Sequence, residues 1–192
     1  PGVATLLPCA VIARRLVTPA RAGAAAKVAA LLLAVNYLHG RDSHFGVPDA
    51  ALAFALTAAL ACAVRLVDDG RTRDALACGA FTGLAVAFKW TGLFMLPVLA
   101  IVLALTVWHW RHDRPLRRLA IAAGSALAAL VVFLVLDPRV PGQLGETLTG
   151  VLSHTMRYGD QSLGHLQDPT VELGRGWWFH VHTTLPIAFG WF

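Results

Sequence analysis

The chain has 192 residues, of which 57% are hydrophobic and only 14% charged, and its mean hydropathy is +0.62. Soluble domains carry about 25% charged residues, so this composition excludes an ordinary soluble fold and predicts an all-α membrane protein. The net charge of +5 does not indicate a nucleic-acid partner, because basic residues in cytoplasmic loops explain it more simply.

Apolar runs recur along the chain, and several approach the roughly 18 residues with which a helix crosses a bilayer. They predict one polytopic bundle over residues 1–192, with apolar spans at about 1–13, 24–38, 50–67, 75–88, 90–110, 119–136 and 177–192. Because the chain starts without Met and both ends lie in apolar sequence, we expect an internal fragment of a larger protein. The three cysteines lie in apolar runs without metal-binding spacing, and we interpret them as small buried hydrophobic residues: Cys9, Cys62 and Cys78.

The basic residues predict which loops face the cytoplasm. Segments 14–27, 65–74 and 111–118 together hold 11 of the 16 Lys and Arg residues. The positive-inside rule assigns such loops to the cytoplasmic side. Segments 39–49 and 137–176 then form outward polar loops, and they hold seven of the eleven acidic residues. The polar chemistry is therefore expected on the outer side.

Segment 75–110 lies between two basic segments, so it is predicted to be a hairpin whose outer turn is near Lys89. Its first arm, 75–88, spans only about 21 Å, which is shorter than the roughly 30 Å hydrocarbon core. Lys89 is therefore expected to be recessed, where it lines a cavity or pairs with an anion, unless it is a snorkelling lysine. Gly79 and Gly83 form a GxxxG pattern, which predicts close helix packing.

The first outward loop reads RDSHFGVPD from Arg41 to Asp49 and leads directly into an apolar helix. Asp49 follows a proline suited to the first helical turn, and a purely capping role is one interpretation. A second is that Asp42, His44 and Asp49 form a catalytic cluster that holds a divalent cation, or a pyrophosphate-like ligand through one, with Asp49 as the residue assigned to the metal. Arg41 suits either a donor phosphate or lipid headgroups.

The long outward segment 137–176 and the start of the span after it supply further candidates. A segment of this length without apolar runs is often functional. Its predicted substrate-facing residues are His154, Arg157, Tyr158, His165, Trp178 and His182. Tryptophans that re-enter a membrane also mark the headgroup level, so Trp177 is interpreted mainly as a belt residue.

Two stretches, SHFGVPDAALAF and FKWTGLFMLP, resemble the dolichyl-phosphate-mannose–protein mannosyltransferase-like family of GT-C membrane glycosyltransferases. That family has a polar loop ending in Asp at a helix start. A hairpin reading roughly G-L-A-x-x-x-K-[YWG] and an apolar helix with Pro follow. Here the hairpin runs from Gly83 to Trp90, and the resemblance extends from about residue 24 to the end of the chain.

The resemblance implies transfer of a mannose-like hexose, with inversion, from a polyprenyl-phosphate sugar to a protein or lipid hydroxyl on the outer face. It places the general base in a loop that precedes this chain. Asp49 matches the second acid, which acts through a metal or the phosphate, and Lys89 matches the lysine near the donor phosphate. The Ala- and Arg-rich composition is typical of a bacterial plasma-membrane protein, whose carrier would be undecaprenyl-like.

Two other classes of function stay open at this point. The sequence has no Walker A, GxGxxG, HExxH or GxSxG motif, so nucleotide-driven transport and the common hydrolase designs have no support. A transporter or flippase for lipid-linked or anionic cargo is the main alternative, and charges near the midplane would favour it. A non-catalytic membrane subunit is the third.

Overall fold

The computed structural model describes residues 2–45, 47–109, 115–143 and 145–150, together with residues 153, 185 and 186. Every regular element in these residues is helical, which confirms the predicted all-α membrane class. The helices are α1 (Gly2–Arg15), α2 (Pro19–Ala34), α3 (Tyr37–Phe45), α4 (Pro48–Asp69), α5 (Thr72–Phe88), α6 (Met95–His109) and α7 (Pro115–Leu136). Short 3-10 helices cover Trp90–Phe94 and Val140–Gly142.

The chain divides into two compact units. The larger contains residues 1–35 and 39–137, and the smaller contains residues 36–38 and 138–192. In the described part of the smaller unit, the 3-10 helix Val140–Gly142 is followed by helical residues 145–150. All the packing and the sites discussed below lie within the larger unit.

Three helical segments are long and apolar enough to cross a membrane: Pro48–Asp69, Trp90–His109 and Leu116–Leu136. Helices α2 and α3 together pass the same test but are bent by 59°, so the described residues contain up to four candidate spans. Helix α5 has 17 residues, one turn more at its start than predicted. It is still only about 25 Å long at 1.5 Å per residue.

The segment predicted as the outward loop 39–49 overlaps the short helix α3, which the sequence did not predict. Its polarity suggested a loop, but Tyr37–Phe45 has no proline and so nothing in it prevents a short polar helix. Pro48 disfavours helical backbone at the residue before it, and Val47 is extended, with φ −68° and ψ 149°. Helix α4 therefore starts afresh at Pro48.

Helix α5 is the centre of the larger unit and packs against both α4 and α7, while α1 packs against α2 and α4. Gly79 lies against the backbone of Ser125, and Gly83 lies against the backbone of Ala129, with no space for a Cβ at either glycine. This confirms the close packing that the GxxxG pattern predicted. The Ser125 hydroxyl adds a hydrogen bond of 2.7 Å to the carbonyl of Ala75.

Small side chains form most of the core around α5, including the fully buried Ala75, Cys78 and Ala85. Cys62 and Cys78 are buried free thiols, as predicted, while Cys9 is partly buried. Lipid is as apolar as a leucine side chain, so the hydrophobic effect does not hold membrane helices together. Small residues instead let the helices approach closely and pack through van der Waals contacts.

The two ends of this unit carry different charge patterns. We call "arginine end" the ends of α1 and α4 with the starts of α2, α5 and α7. There Arg15 bonds to Asp68 and Asp69, and Arg118 donates to the carbonyl of Gly70 at 2.8 Å. These contacts bring the three basic segments together at one end. We call "lysine end" the start of α4 with the end of α5, where Asp49 and Lys89 lie.

Candidate functional site

Asp49 is positioned by the start of α4. Val47 is the residue that precedes the helix, Pro48 occupies its first position, and Asp49 lies in its first turn. Proline suits that position because the first amides of a helix have no partner within it. The carboxylate of Asp49 bonds to Lys89 and so connects the start of α4 to the end of α5.

Lys89 is positioned by a break in the backbone at the end of α5. Its amide still bonds to the carbonyl of Ala85, but its own conformation is extended, with φ −162° and ψ 138°. The 3-10 helix Trp90–Phe94 then folds back, and Gly92 lies against the backbone of Ala85 with no space for a Cβ. This close return of the chain fixes the place from which the lysine side chain extends.

The structure brings Lys89 and Asp49 together, although they are 40 residues apart: Lys89 Nζ donates to Asp49 Oδ1 at 2.7 Å. The two side chains are 43% and 49% exposed, respectively. A charge-assisted bond this short is well formed, but an exposed pair stabilises a fold by only about 0–1 kcal/mol. An ammonium has three N–H donors, so Lys89 can bind a second anion without losing Asp49.

The other candidates from the first outward segment lie on α3 and have different contacts. Arg41 pairs with its neighbour Asp42 at 2.9 Å. The ring of His44 packs edge-on against Phe45, and His44 also lines a cavity of about 350 Å³ beside α1. Across the described ranges, no hydrogen bond or ion pair joins Arg41, Asp42 or His44 to the Asp49–Lys89 pair.

The remaining predicted site residues lie outside the described residues. They are His154, Arg157, Tyr158, His165, Trp178 and His182. Their predicted roles as substrate-facing groups stay predictions.

The metal predicted at Asp49 can be tested against the groups around it. Calcium and magnesium ions take six or more oxygen ligands. In the part of the chain that the structure describes, no three His, Cys, Asp or Glu side chains come together as a metal site. The nearest charged partner of Asp49 is an ammonium, which repels a cation. The described residues therefore do not fit a metal here, and the metal stays a prediction.

An apolar groove of about 280 Å³ lies between the end of α5, the 3-10 helix Trp90–Phe94, α6 and α7, a volume near the lower end of small-molecule sites. Trp90, the residue after Lys89, lines its edge, with its ring 6.0 Å from the ring of Phe133. Small residues and leucines form the rest: Gly83, Val86, Leu93, Leu96, Leu99, Ala126, Ala129 and Leu130.

Sequence reasoning missed this groove. Its α7 wall has the spacing i, i+3, i+4, i+7, at Ala126, Ala129, Leu130 and Phe133, which marks one helix face. That signal was present in the sequence, but it stands out poorly in a helix that is apolar all round.

A lysine–carboxylate pair, followed in the chain by a tryptophan that lines an apolar groove, suits an amphiphile that has an anionic head and a hydrocarbon tail. The fold and this arrangement define an integral membrane protein with a candidate site at one end of a helix bundle.

The chain matches the dolichyl-phosphate-mannose-protein mannosyltransferase family over residues 2–136, and it belongs to that family. Family membership points to a membrane glycosyltransferase of the mannosyltransferase type. The matched region includes Asp49 and Lys89 and ends one residue before the end of the larger unit. No curated protein and no solved structure is similar enough to the chain to match it.

Proposed function

We propose that this protein transfers a mannose-like hexose from a polyprenyl-phosphate sugar to a hydroxyl group of a protein or lipid. The observation that carries the proposal is the bond of 2.7 Å between Lys89 and Asp49, with Trp90, the residue after Lys89, lining the apolar groove. The family of the chain supports the sugar-transfer chemistry.

Lys89 binds the phosphate of the donor in this proposal. Its ammonium is a compact charge with two N–H donors left after the bond to Asp49. Asp49 holds the ammonium at the end of α5, and the groove takes the first part of the polyprenyl chain. Trp90 connects the two parts, because it follows Lys89 in the chain and lines the groove.

The proposed reaction is a single displacement. The oxygen of the acceptor hydroxyl attacks C1 of the sugar on the face opposite the phosphate, which inverts C1. The C1–O bond breaks, its electron pair stays on the phosphate oxygen, and Lys89 stabilises the charge that develops there. The hydroxyl proton passes to a base. The resemblance places this base elsewhere, and Asp42 and His44 of α3 are the alternatives that we propose from this chain.

The proposed orientation follows from charge. The basic segments meet at the arginine end, so the positive-inside rule puts that end in the cytoplasm and the lysine end outside. Transfer would then occur on the outer face of a plasma membrane, with an undecaprenyl-like carrier as the donor lipid.

One observation favours transfer over carriage of cargo through the bundle. The buried hydroxyls of Thr82 and Thr106 each donate, at 2.8 Å, to the carbonyl four residues earlier in the same helix. Each of these hydroxyls therefore donates its hydrogen bond within its own helix and does not offer it to cargo. Transporters place polar binding groups near the midplane, which these residues do not supply.

The test is sugar transfer by the protein in nanodiscs, with radiolabelled polyprenyl-phosphate mannose and a mixture of acceptor peptides and lipids. Wild type is compared with Lys89→Ala, Asp49→Asn and the matched control Lys27→Ala, which removes the other lysine of the chain. We expect transfer by wild type and the control, and its loss in Lys89→Ala. Equal transfer by all four proteins would remove this site from the mechanism. Translocation of the donor without transfer would favour the flippase alternative.

A further inference from the structure

The arginine end contains a cavity of about 640 Å³, between the ends of α1 and α4 and the starts of α2 and α5. Four arginines line it: Arg14, Arg15, Arg65 and Arg71. The other lining residues are small or apolar: Val11, Val17, Pro19 and Ala22. So many guanidinium groups around one cavity need anions to balance them.

Acidic side chains of the protein balance part of this charge. Arg15 bonds to both carboxylate oxygens of Asp69, at 3.0 and 3.1 Å, and to Asp68 at 3.2 Å. Arg65 pairs with Asp74, which is buried. These contacts tie α1 to α4 and α4 to α5, and they occupy the guanidinium groups of Arg15 and Arg65.

Arg14 and Arg71 are not balanced in this way. Among the residues that the structure describes, no acidic side chain lies within ion-pair distance of Arg14. Arg71 approaches Asp69 only at 3.5 Å and is 53% exposed. The cavity thus has four arginines to three acids, and two of its guanidinium groups retain most of their N–H donors.

We propose that this cavity binds the phosphate group of an anionic ligand, with Arg14 and Arg71 as its main partners. The planar fork of N–H donors in arginine matches phosphate oxygens. An anionic phospholipid headgroup and free phosphate share this chemistry. The lipid is the favoured source, because the cavity lies at the end of membrane helices and has apolar walls, and basic pockets at such positions bind anionic headgroups.

The test measures retention of phosphatidylglycerol by the purified protein in detergent, using native mass spectrometry, with phosphatidylcholine as the neutral lipid. Arg14→Gln/Arg71→Gln is compared with Arg21→Gln/Arg73→Gln, which removes the same charge from the same two segments without touching the cavity lining. We expect phosphatidylglycerol affinity to fall about five-fold for each lining arginine, or roughly 25-fold in the double variant. The control should change it less than two-fold.

Several outcomes would overturn the proposal. An equal loss in the two double variants would show general surface attraction rather than a cavity site, and so would equal retention of the two lipids by wild type.

A second measurement adds inorganic phosphate at about 10 mM to the wild-type protein. If it protects the wild type against thermal unfolding and displaces the lipid, while potassium chloride of equal ionic strength does neither, the phosphate site stands and free phosphate is its source.

This site does not depend on the sugar-transfer proposal. The lipid measurement involves no donor or acceptor, and the cavity lies at the opposite end of α5 from Lys89. Loss of lipid binding with transfer intact would leave the proposed enzyme standing. Absent transfer with lipid binding intact would leave the arginine site standing.

Discussion

The arginine end and the lysine end of the larger unit use charge in opposite ways. At the arginine end, the carboxylate of Asp74 is buried and paired, and Arg15 joins two acids of α4 at once. At the lysine end, one exposed ammonium meets one exposed carboxylate. Buried, multiply bonded charges hold helices in place, while an exposed single pair contributes little stability and can accept a third group. The difference makes the arginine end the more firmly held one, apart from the cavity of Arg14 and Arg71, and the lysine end the one where we propose the reaction.

The largest effect is expected from Asp74→Asn at the arginine end. It leaves Arg65 without its partner and should destabilise the protein by about 3 kcal/mol. This is the lower end of the range for broken buried ion pairs, because Arg65 is partly exposed. The measurement is reversible unfolding in detergent. Replacing both residues, as Arg65→Met with Asp74→Leu, should recover most of the loss. A loss below about 1 kcal/mol would mean that this pair resembles a surface pair.

Lys89→Ala should reduce kcat/KM for sugar transfer by about 100-fold, or about 2.7 kcal/mol, because the leaving phosphate loses a charged donor. Its unfolding free energy should change by less than about 1 kcal/mol, because the pair is exposed. Lys27→Ala is the control for both measurements. Large destabilisation with unimpaired transfer would reverse the assignment of the two ends.

Gly83→Ala tests the close packing of α5 against α7. Its Cβ would meet the backbone of Ala129, and such overpacking should destabilise the protein by about 2 kcal/mol. Gly83 also lines the groove, so affinity for the lipid donor should fall with stability. Gly23→Ala is the control, because a Cβ there meets nothing within 4 Å. Equal stability of the two variants would show that α5 and α7 separate at little cost.

These contrasts also show which parts of the structure could be predicted from the sequence. Hydropathy predicts the helices, and the positions of the basic segments predict that their arginines meet at one end of the bundle. Both features depend on local composition. The Lys89–Asp49 bond depends on how α4 and α5 pack, which no local pattern specifies. The same holds for the ion pairs of Arg15. The sequence predicted Arg15 only as a basic residue of a cytoplasmic loop, and its partners Asp68 and Asp69 lie in a different basic segment.

Helix α3 was missed for a different reason. Its nine residues have little apolar periodicity, so polarity favoured a loop, whereas the prolyl ring of Pro48 determines where the helical backbone must stop. The groove was missed because α7 is apolar on every side, and a face can be recognised only where it contrasts with the others.

The smallest effect on stability is expected from exchanging the charges of the Asp49–Lys89 pair, as Asp49→Lys with Lys89→Asp. The exchanged pair can form the same exposed bond, so the unfolding free energy should stay within about 1 kcal/mol of wild type. Sugar transfer should stay as low as in Lys89→Ala if the lysine must extend from the end of α5 beside Trp90 and the groove. The equivalent exchange of Arg65 and Asp74 should destabilise the protein strongly, because the position of Asp74 is buried and too small for arginine. Transfer restored by the Asp49/Lys89 exchange would show that the reaction needs the pair but not its direction, and the phosphate would then bind between the two residues rather than on the α5 side.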